Sequence, residues 1–201
     1  MSYKNKIEIY QDDCPILLGR LPMFSDYIKE YANGRTGHGL DVGAGPQGPN
    51  GKYFTNSTSL DGCDAEKDVV KSLPGNTYSS TFQYFLGSKQ MLPYNDSEKD
   101  FIVCSCVIQH LPGFKELEIG IKELTRVLKS KGTFYLMFKS GTNDTDLTHT
   151  NAYYNEVRTF RVFHPTNVVE LCQKNGLKVL SLEKLLDDNW IPYCCLILEK
   201  N

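Results

Sequence analysis

No apolar run in this chain approaches the roughly 20 residues that a membrane-spanning helix needs, so no spanning segment is expected. The opening Met-Ser-Tyr-Lys-Asn-Lys-Ile-Glu lacks the apolar centre of a secretory signal. Neither sign of charge dominates: 22 Lys and Arg stand against 24 Asp and Glu, a formal net charge of −2. So balanced a chain has no general field to draw it onto nucleic acid or a membrane surface, and neither is an expected partner. The seven cysteines include no CxxC pair, and their odd number argues against a disulfide framework. Cys63, Cys104, Cys106, Cys172, Cys194 and Cys195 lie in apolar patterns, as buried free thiols of a reducing cytosol do. No zinc or other metal site is expected. Internal repeats and low-complexity tracts are also missing. What remains is one cytoplasmic domain of 201 residues, 40% apolar and so able to bury a normal core.

The most informative stretch is His38-Gly-Leu-Asp-Val-Gly-Ala-Gly-Pro-Gln-Gly48. A short apolar step, Leu40 to Val42, runs into Gly43, Gly45 and Gly48. That is a strand followed by a loop which a ligand can approach closely. The spacing Gly43-x-Gly45-x-x-Gly48 fits a dinucleotide fingerprint on its own. Asp41, two residues before the first glycine, changes the reading. At the carboxyl end of the strand it would repel a pyrophosphate and suits a ligand with an ammonium group. S-adenosylmethionine carries an ammonium and a sulfonium and has no phosphate. The segment Pro49-Asn-Gly-Lys-Tyr-Phe-Thr-Asn-Ser-Thr58 is a poor helix former. It lacks the firm helix N-terminus that a phosphate cradle wants.

Along the chain, Ile16, Leu17, Leu21, Phe24 and Ile28 recur at three- and four-residue steps. They predict a mostly helical segment over 1–36, either packed on a sheet face or forming a lid with Tyr10 or Tyr27 over the ligand. Ser59 to Asp64 reads as the second strand, with Asp64 lying 23 residues beyond Asp41. A carboxylate there is placed for vicinal ribose hydroxyls, with Asp61 as its rival. A helix over 65–73 follows, then a third strand over 82–86. Phe101 to Ile108 is an unbroken apolar run, the pattern of a central parallel strand. Leu117, Ile121, Leu124 and Leu128 mark a helix with one buried stripe. Residues 133–138 make a fifth strand and 166–174 a helix. Residues 177–182 and 193–199 make two last strands with no helical pattern between them, and so pair antiparallel. Residues 140–165 are polar and aromatic with little period, and read as a cap or substrate segment. The fold class is therefore α/β, Rossmann-like. Its sheet has seven mostly parallel strands with an antiparallel last strand, and helices cover both faces.

Four blocks taken together resemble the class I S-adenosylmethionine-dependent methyltransferases. The likeness is closest to the ubiquinone-biosynthesis C-methyltransferase group with its methyltransferase type 11 domain. The blocks are Leu40-Asp-Val-Gly-Ala-Gly45, Gly62-Cys-Asp64, Leu92-Pro-Tyr94 followed by Asp100-Phe-Ile-Val-Cys-Ser-Cys-Val-Ile-Gln-His-Leu111, and Arg126-Val-Leu-Lys-Ser-Lys-Gly132. The sequence departs from the family in three places. Gln47 holds the position of the commonest third glycine, Lys131 replaces a glycine, and Ser88 stands where an Asp usually receives the adenine amino group.

The resemblance implies S-adenosylmethionine as cofactor and S-adenosylhomocysteine as product. It assigns Asp41 to the methionine ammonium, Gly43, Ala44 and Gly45 to the floor under the methionine and sugar, and Asp64 to the ribose. Ala65 would lie beside the adenine, with Ser88, Lys89 and Gln90 around it, and Cys104 and Ser105 would line the methionine side. Methyl transfer chiefly needs alignment, with a base where the acceptor starts protonated. His110, just beyond the fourth strand, is the candidate base, or else a residue that packs or caps the next helix. His149, His164, Tyr153 and Tyr154 lie in the odd segment, which also carries Arg158, Phe160, Arg161 and Phe163. The expected acceptor is a small molecule methylated on oxygen, nitrogen or carbon. The alternatives are a protein or RNA acceptor, a relative that binds the cofactor without catalysis, and an NAD-type oxidoreductase. Homodimerisation is left open.

Overall fold

The computed structural model describes residues 16–18, 24–151, 156–186 and 192–201. In chain order it contains β1 (Ile16–Leu18), α1 (Phe24–Ala32), β2 (His38–Val42), β3 (Ser59–Asp64), α2 (Lys67–Ser72), β4 (Ser80–Gln83) and β5 (Lys99–Ser105). These are followed by α3 (Phe114–Val127), β6 (Leu128–Lys139), β7 (Thr145–Asn151), β8 (Glu156–Val162), α4 (Pro165–Lys174), β9 (Leu177–Leu186) and β10 (Pro192–Lys200). Single 3₁₀ turns occupy Gly51–Tyr53 and Ile108–His110.

Eight of the strands form one sheet in the order β1-β9-β10-β6-β5-β2-β3-β4. Every pairing is parallel except those of β10, which runs antiparallel to both β6 and β9. The seven expected strands are all present, and the last is inserted between the two before it. The strand order reverses between β2 and β5, which is the switch point where open α/β sheets bind ligands. The middle of β5 is sealed on both faces: Phe101, Ile102, Val103 and Cys104 are each at most 1% exposed. On one face α3 and α4 bury Leu117, Ile121, Leu124, Val168 and Leu171 against Ile102, Phe134 and Leu196. On the other, α1 buries Tyr27, Ile28 and Tyr31 with Phe54 against Phe101, Val103 and Tyr135. The six described cysteines are free, and all but Cys106 are buried.

Four expectations shift. Ile16–Leu18 is a short edge strand parallel to β9 rather than part of a helix, which begins only at Phe24. A run of apolar residues this short carries no period of its own, and the open edge of β9 decides its conformation. The third strand is Ser80–Gln83, so residues 84–88 are released as loop. The fourth strand ends at Ser105, because Cys106 turns into the left-handed region at φ 60°. Within 140–165, β7 and β8 pair as an antiparallel hairpin, Thr145 opposite Val162 and Asn151 opposite Glu156. Tyr10, Leu21, Tyr153 and Tyr154 lie outside the described residues.

Candidate functional site

At the switch point β2 runs into the glycine loop. Gly43 and Gly45 stand at φ 66° and 71°, a region L side chains rarely enter. Gly43 is also constrained by space, since a Cβ there would overlap the Val107 side chain. Gln47, in the position of the family's third glycine, makes the same turn at φ 62°.

The amide groups of the loop point into the protein. Gly43 and Ala44 both donate to the Cys63 carbonyl, at 2.8 and 3.0 Å, and Gly48 donates to the Gly45 carbonyl at 3.0 Å. Gly45 donates to Asp64 Oδ2 at 3.1 Å and Gln47 to Ser72 Oγ at 3.0 Å. Pro46 has no N–H to give. A phosphate cradle works through free amide donors, and this loop has none between Gly43 and Gly48. The dinucleotide alternative loses its chemical basis here.

Two carboxylates flank the loop in different states. Asp41 is fully buried beneath it and accepts a 2.7 Å hydrogen bond from the Tyr78 hydroxyl on Oδ2. Its Oδ1 is buried with no hydrogen-bond partner among the described residues. Burial pushes the Asp41 carboxyl up to about 7, opposed by the Tyr78 hydrogen bond and reinforced by the charge of Asp64. Asp64, at the tip of β3, accepts from the Glu66 amide on Oδ1 at 3.0 Å and from the Gly45 amide on Oδ2. Each Asp64 oxygen keeps a lone pair for a further donor.

Over the carboxyl ends of β2, β3 and β5 lies a cleft of about 830 Å³. Its walls are the glycine loop, the segment 64–66, the segment 84–88, and the segment from Cys106 to Pro112, with Glu116 below. Among the described residues, the charged ones lining it are Asp64, Glu66 and Glu116, with no lysine or arginine. His110 ends its 3₁₀ turn exposed at the cleft, its ring 5.3 Å from that of Phe160 in an edge-on contact. An acidic cleft, a loop without free amides and a buried carboxylate oxygen all fit a sulfonium cofactor with an ammonium group.

Of the sequence-predicted residues, Gly43, Gly45, Asp64, Ala65, Ser88 and His110 line this cleft, and Ala44 is buried beside it. Lys89 and Gln90 are exposed outside the lining, with Ser88 Oγ accepting from the Gln90 amide at 3.2 Å. Cys104 stands in the core and Ser105 outside the lining. The left-handed turn at Cys106 carries Cys106 and Val107 into the cleft in their place.

Asp61 is no rival to Asp64. Its Oδ2 is held by Lys99 Nζ at 2.6 Å and by the Tyr94 hydroxyl at 2.9 Å. His164 caps α4, its Nδ1 accepting from the Thr166 amide at 3.3 Å, and Tyr27 is buried on the inner face of α1. Arg161 pairs with Asp146 at 3.0 Å, and the backbones of His149 and Arg158 face each other across the hairpin. Sequence reasoning missed Tyr78, the wall from Tyr84 to Leu86, and Glu116. For Tyr78 no local pattern could have found it, because the residues that hold it are distant in sequence. Among the described residues, no group of three or more His, Cys, Asp or Glu is arranged to hold a metal ion.

Residues 40–136 match the family model described as a methyltransferase domain. No curated protein matches the chain significantly. Among solved structures, a S-adenosylmethionine-dependent methyltransferase of Methanosarcina mazei is similar at TM-score 0.65 and 20% identity, over 81% of this chain and 92% of that one. The 1,6-didemethyltoxoflavin-N1-methyltransferase of Burkholderia thailandensis, solved with 1,6-didemethyltoxoflavin and S-adenosylhomocysteine, is similar at 0.66 and 14%, over 99% and 84%. The [4+2]-cyclase SpnF is similar at 0.68 and 15%, over 88% and 80%. At such identities these structures speak for the fold. The matched domain runs from β2 into β6 and contains the loop, Asp64 and β5. In its matched segment and in its fold, the chain is therefore similar to S-adenosylmethionine-dependent methyltransferases.

Proposed function

We propose that the chain methylates a small-molecule acceptor in the cytosol, in a pocket that continues the cofactor cleft towards His110. The observation that carries this reading is that the described residues lining the cleft include Asp64, Glu66 and Glu116 and, among them, no lysine or arginine. An RNA acceptor would bring phosphates to this opening and needs cationic contacts there. The hairpin supports the same reading. Phe160 is 7% exposed and packs against His110, so β8 narrows the acceptor side where a protein or RNA would have to enter. The neighbour from Burkholderia thailandensis, by its description, holds 1,6-didemethyltoxoflavin with S-adenosylhomocysteine on this fold.

In this reading Asp64 accepts the ribose hydroxyls with the lone pairs its backbone partners leave, and Asp41 Oδ1 faces the ammonium, directly or through one water. Gly43, Ala44 and Gly45 form the floor. Ala65, Ser88, Phe85 and Leu86 make the surface for the adenine. When bound, the cofactor supplies a methyl group already activated by sulfonium. The chain then has to hold the acceptor atom in line with it, exclude water, and take a proton where the acceptor carries one. His110 is the imidazole among the described residues at the cleft, and in this reading it takes that proton.

Incubation with methyl-labelled S-adenosylmethionine and fractionated cell extract tests the acceptor class. Label in the low-molecular-mass fraction supports the reading, and label confined to protein or RNA overturns it. One structural neighbour is described as a [4+2]-cyclase and not as a methyltransferase, which motivates a second reading for this chain, cofactor binding without methyl transfer. Binding without release of S-adenosylhomocysteine on any fraction would favour it.

A further inference from the structure

We propose that Tyr78 is a positioning residue for the cofactor, fixing Asp41 so that its second carboxylate oxygen is presented as a buried acceptor for the cofactor's ammonium group. The inference rests on the reading that this cleft holds S-adenosylmethionine.

Tyr78 belongs to no recognised motif and lies in the turn between α2 and β4, 3% exposed. Its ring fills a slot made by three glycines from two segments, Gly48 and Gly51 in the loop after β2 and Gly62 in β3. A Cβ at Gly48 would overlap the ring, one at Gly51 would come within 2.6 Å of the hydroxyl, and one at Gly62 within 2.7 Å of Cδ1. Slot and ring therefore fix the hydroxyl, which donates to Asp41 Oδ2 at 2.7 Å. The other oxygen, Oδ1, is buried and accepts nothing among the described residues.

The groups that bear on Asp41 are Cys63 on β3, Cys104 on β5, Asp64 at the tip of β3, and Tyr78 itself. None is a cation, and among the described residues no lysine, arginine or histidine forms an ion pair with Asp41. Burial pushes the two thiols and the phenol up, away from the neutral range, leaving Asp41 as the group poised near 7. The positive partner for Oδ1 must then come with the ligand. Before binding, Oδ1 carries a proton in part of the population. When the ammonium arrives, that proton leaves to solvent and the carboxylate meets the cation. Among the described residues, Tyr78 supplies the one hydrogen bond to the carboxylate, and so favours its charged form.

The test is calorimetric titration of the full chain with S-adenosylmethionine between pH 5.5 and 8.5, on wild type, Tyr78→Phe and Asp41→Asn. The ligand's own α-ammonium titrates near the top of this range, so each variant is read as a ratio to wild type at the same pH, where that contribution cancels. Tyr78→Phe keeps the ring and the packing, and a melting curve verifies its fold. A displacement of Asp41 by about one unit makes this variant about tenfold weaker at pH 6 and within about twofold of wild type at pH 8.5. Asp41→Asn shows the opposite trend, its deficit growing as pH rises. A Tyr78→Phe deficit that is the same at every pH, or no deficit at all, overturns the proposal. Wild type that fails to bind the cofactor at any pH overturns the reading of the cleft and this proposal with it. Wild-type binding with a flat Tyr78→Phe ratio overturns the proposal alone.

Discussion

Asp64→Ala removes the anchor of the Gly45 amide and, in the proposed reading, a charged acceptor for two hydroxyls. Its affinity for S-adenosylmethionine should fall by about 10- to 150-fold, or about 1.5–3 kcal/mol, read by calorimetry. An unchanged dissociation constant would remove it from the site. His110→Ala should leave that affinity within about twofold and lower the single-turnover methylation rate by roughly 10²–10⁴-fold. A loss of melting temperature with the rate per folded molecule intact would show that the ring only packs. Asp41 carries a stability cost with a defined sign. Its folded carboxyl is raised to about 7, above its unfolded value, so the native state binds the extra proton. That contribution is fully present below about pH 4 and is lost as pH rises through 7. Without cofactor, Asp41→Asn should therefore melt higher than wild type at pH 8, with the gain shrinking towards pH 5. The placement of Asp41 and Asp64 beside the glycine loop was legible in the sequence because strand ends and spacing mark it. Tyr78 was not, because three glycines at 48, 51 and 62 serve it only once the chain has folded.

The elements were legible where burial is one-sided or complete, and shifted where a local turn decides. The stripe from Leu117 to Leu124 predicted α3, and the run from Phe101 predicted β5. The end of β5 was misplaced, since nothing about Cys106 announces a positive φ. Lys131 makes a similar turn at φ 63°, where the family has glycine, and the strand after α3 starts at Leu128, earlier than its apolar residues suggest. The β7–β8 hairpin was hidden because it is polar and takes its support from the main sheet. Phe160 touches both His110 and Lys139, the latter with Nζ 4.8 Å from the ring centre. Phe160→Ala should accordingly raise the acceptor KM or lower the methylation rate at least about fivefold, while cofactor affinity stays within about twofold. Equal losses in both would place the hairpin's influence on the cofactor side instead.

For the whole molecule, alternation of strands and helices predicted the sheet correctly. The edge strand Ile16–Leu18 escaped because only a neighbour in space gives it a conformation. Leu196, fully buried in β10, lies opposite Leu136 of β6 and Leu182 of β9. Leu196→Ala should cost about 2–5 kcal/mol in urea unfolding. Backbone and aromatic signals should still report one coincident transition, and cofactor affinity per folded molecule should hold. Separate transitions would mean that the two sides of the sheet fold independently. The insertion of β10 also matters while the protein is being made. As the chain leaves the ribosome, β6 and β9 both emerge before the strand that joins them. Until residues 192–200 arrive, one flank of β6 stays unzipped and the β1–β9 pair has no strand to join it to β6. Assembly of that half of the sheet must wait, and in the interval its open strand borders are the places a chaperone would have to shield.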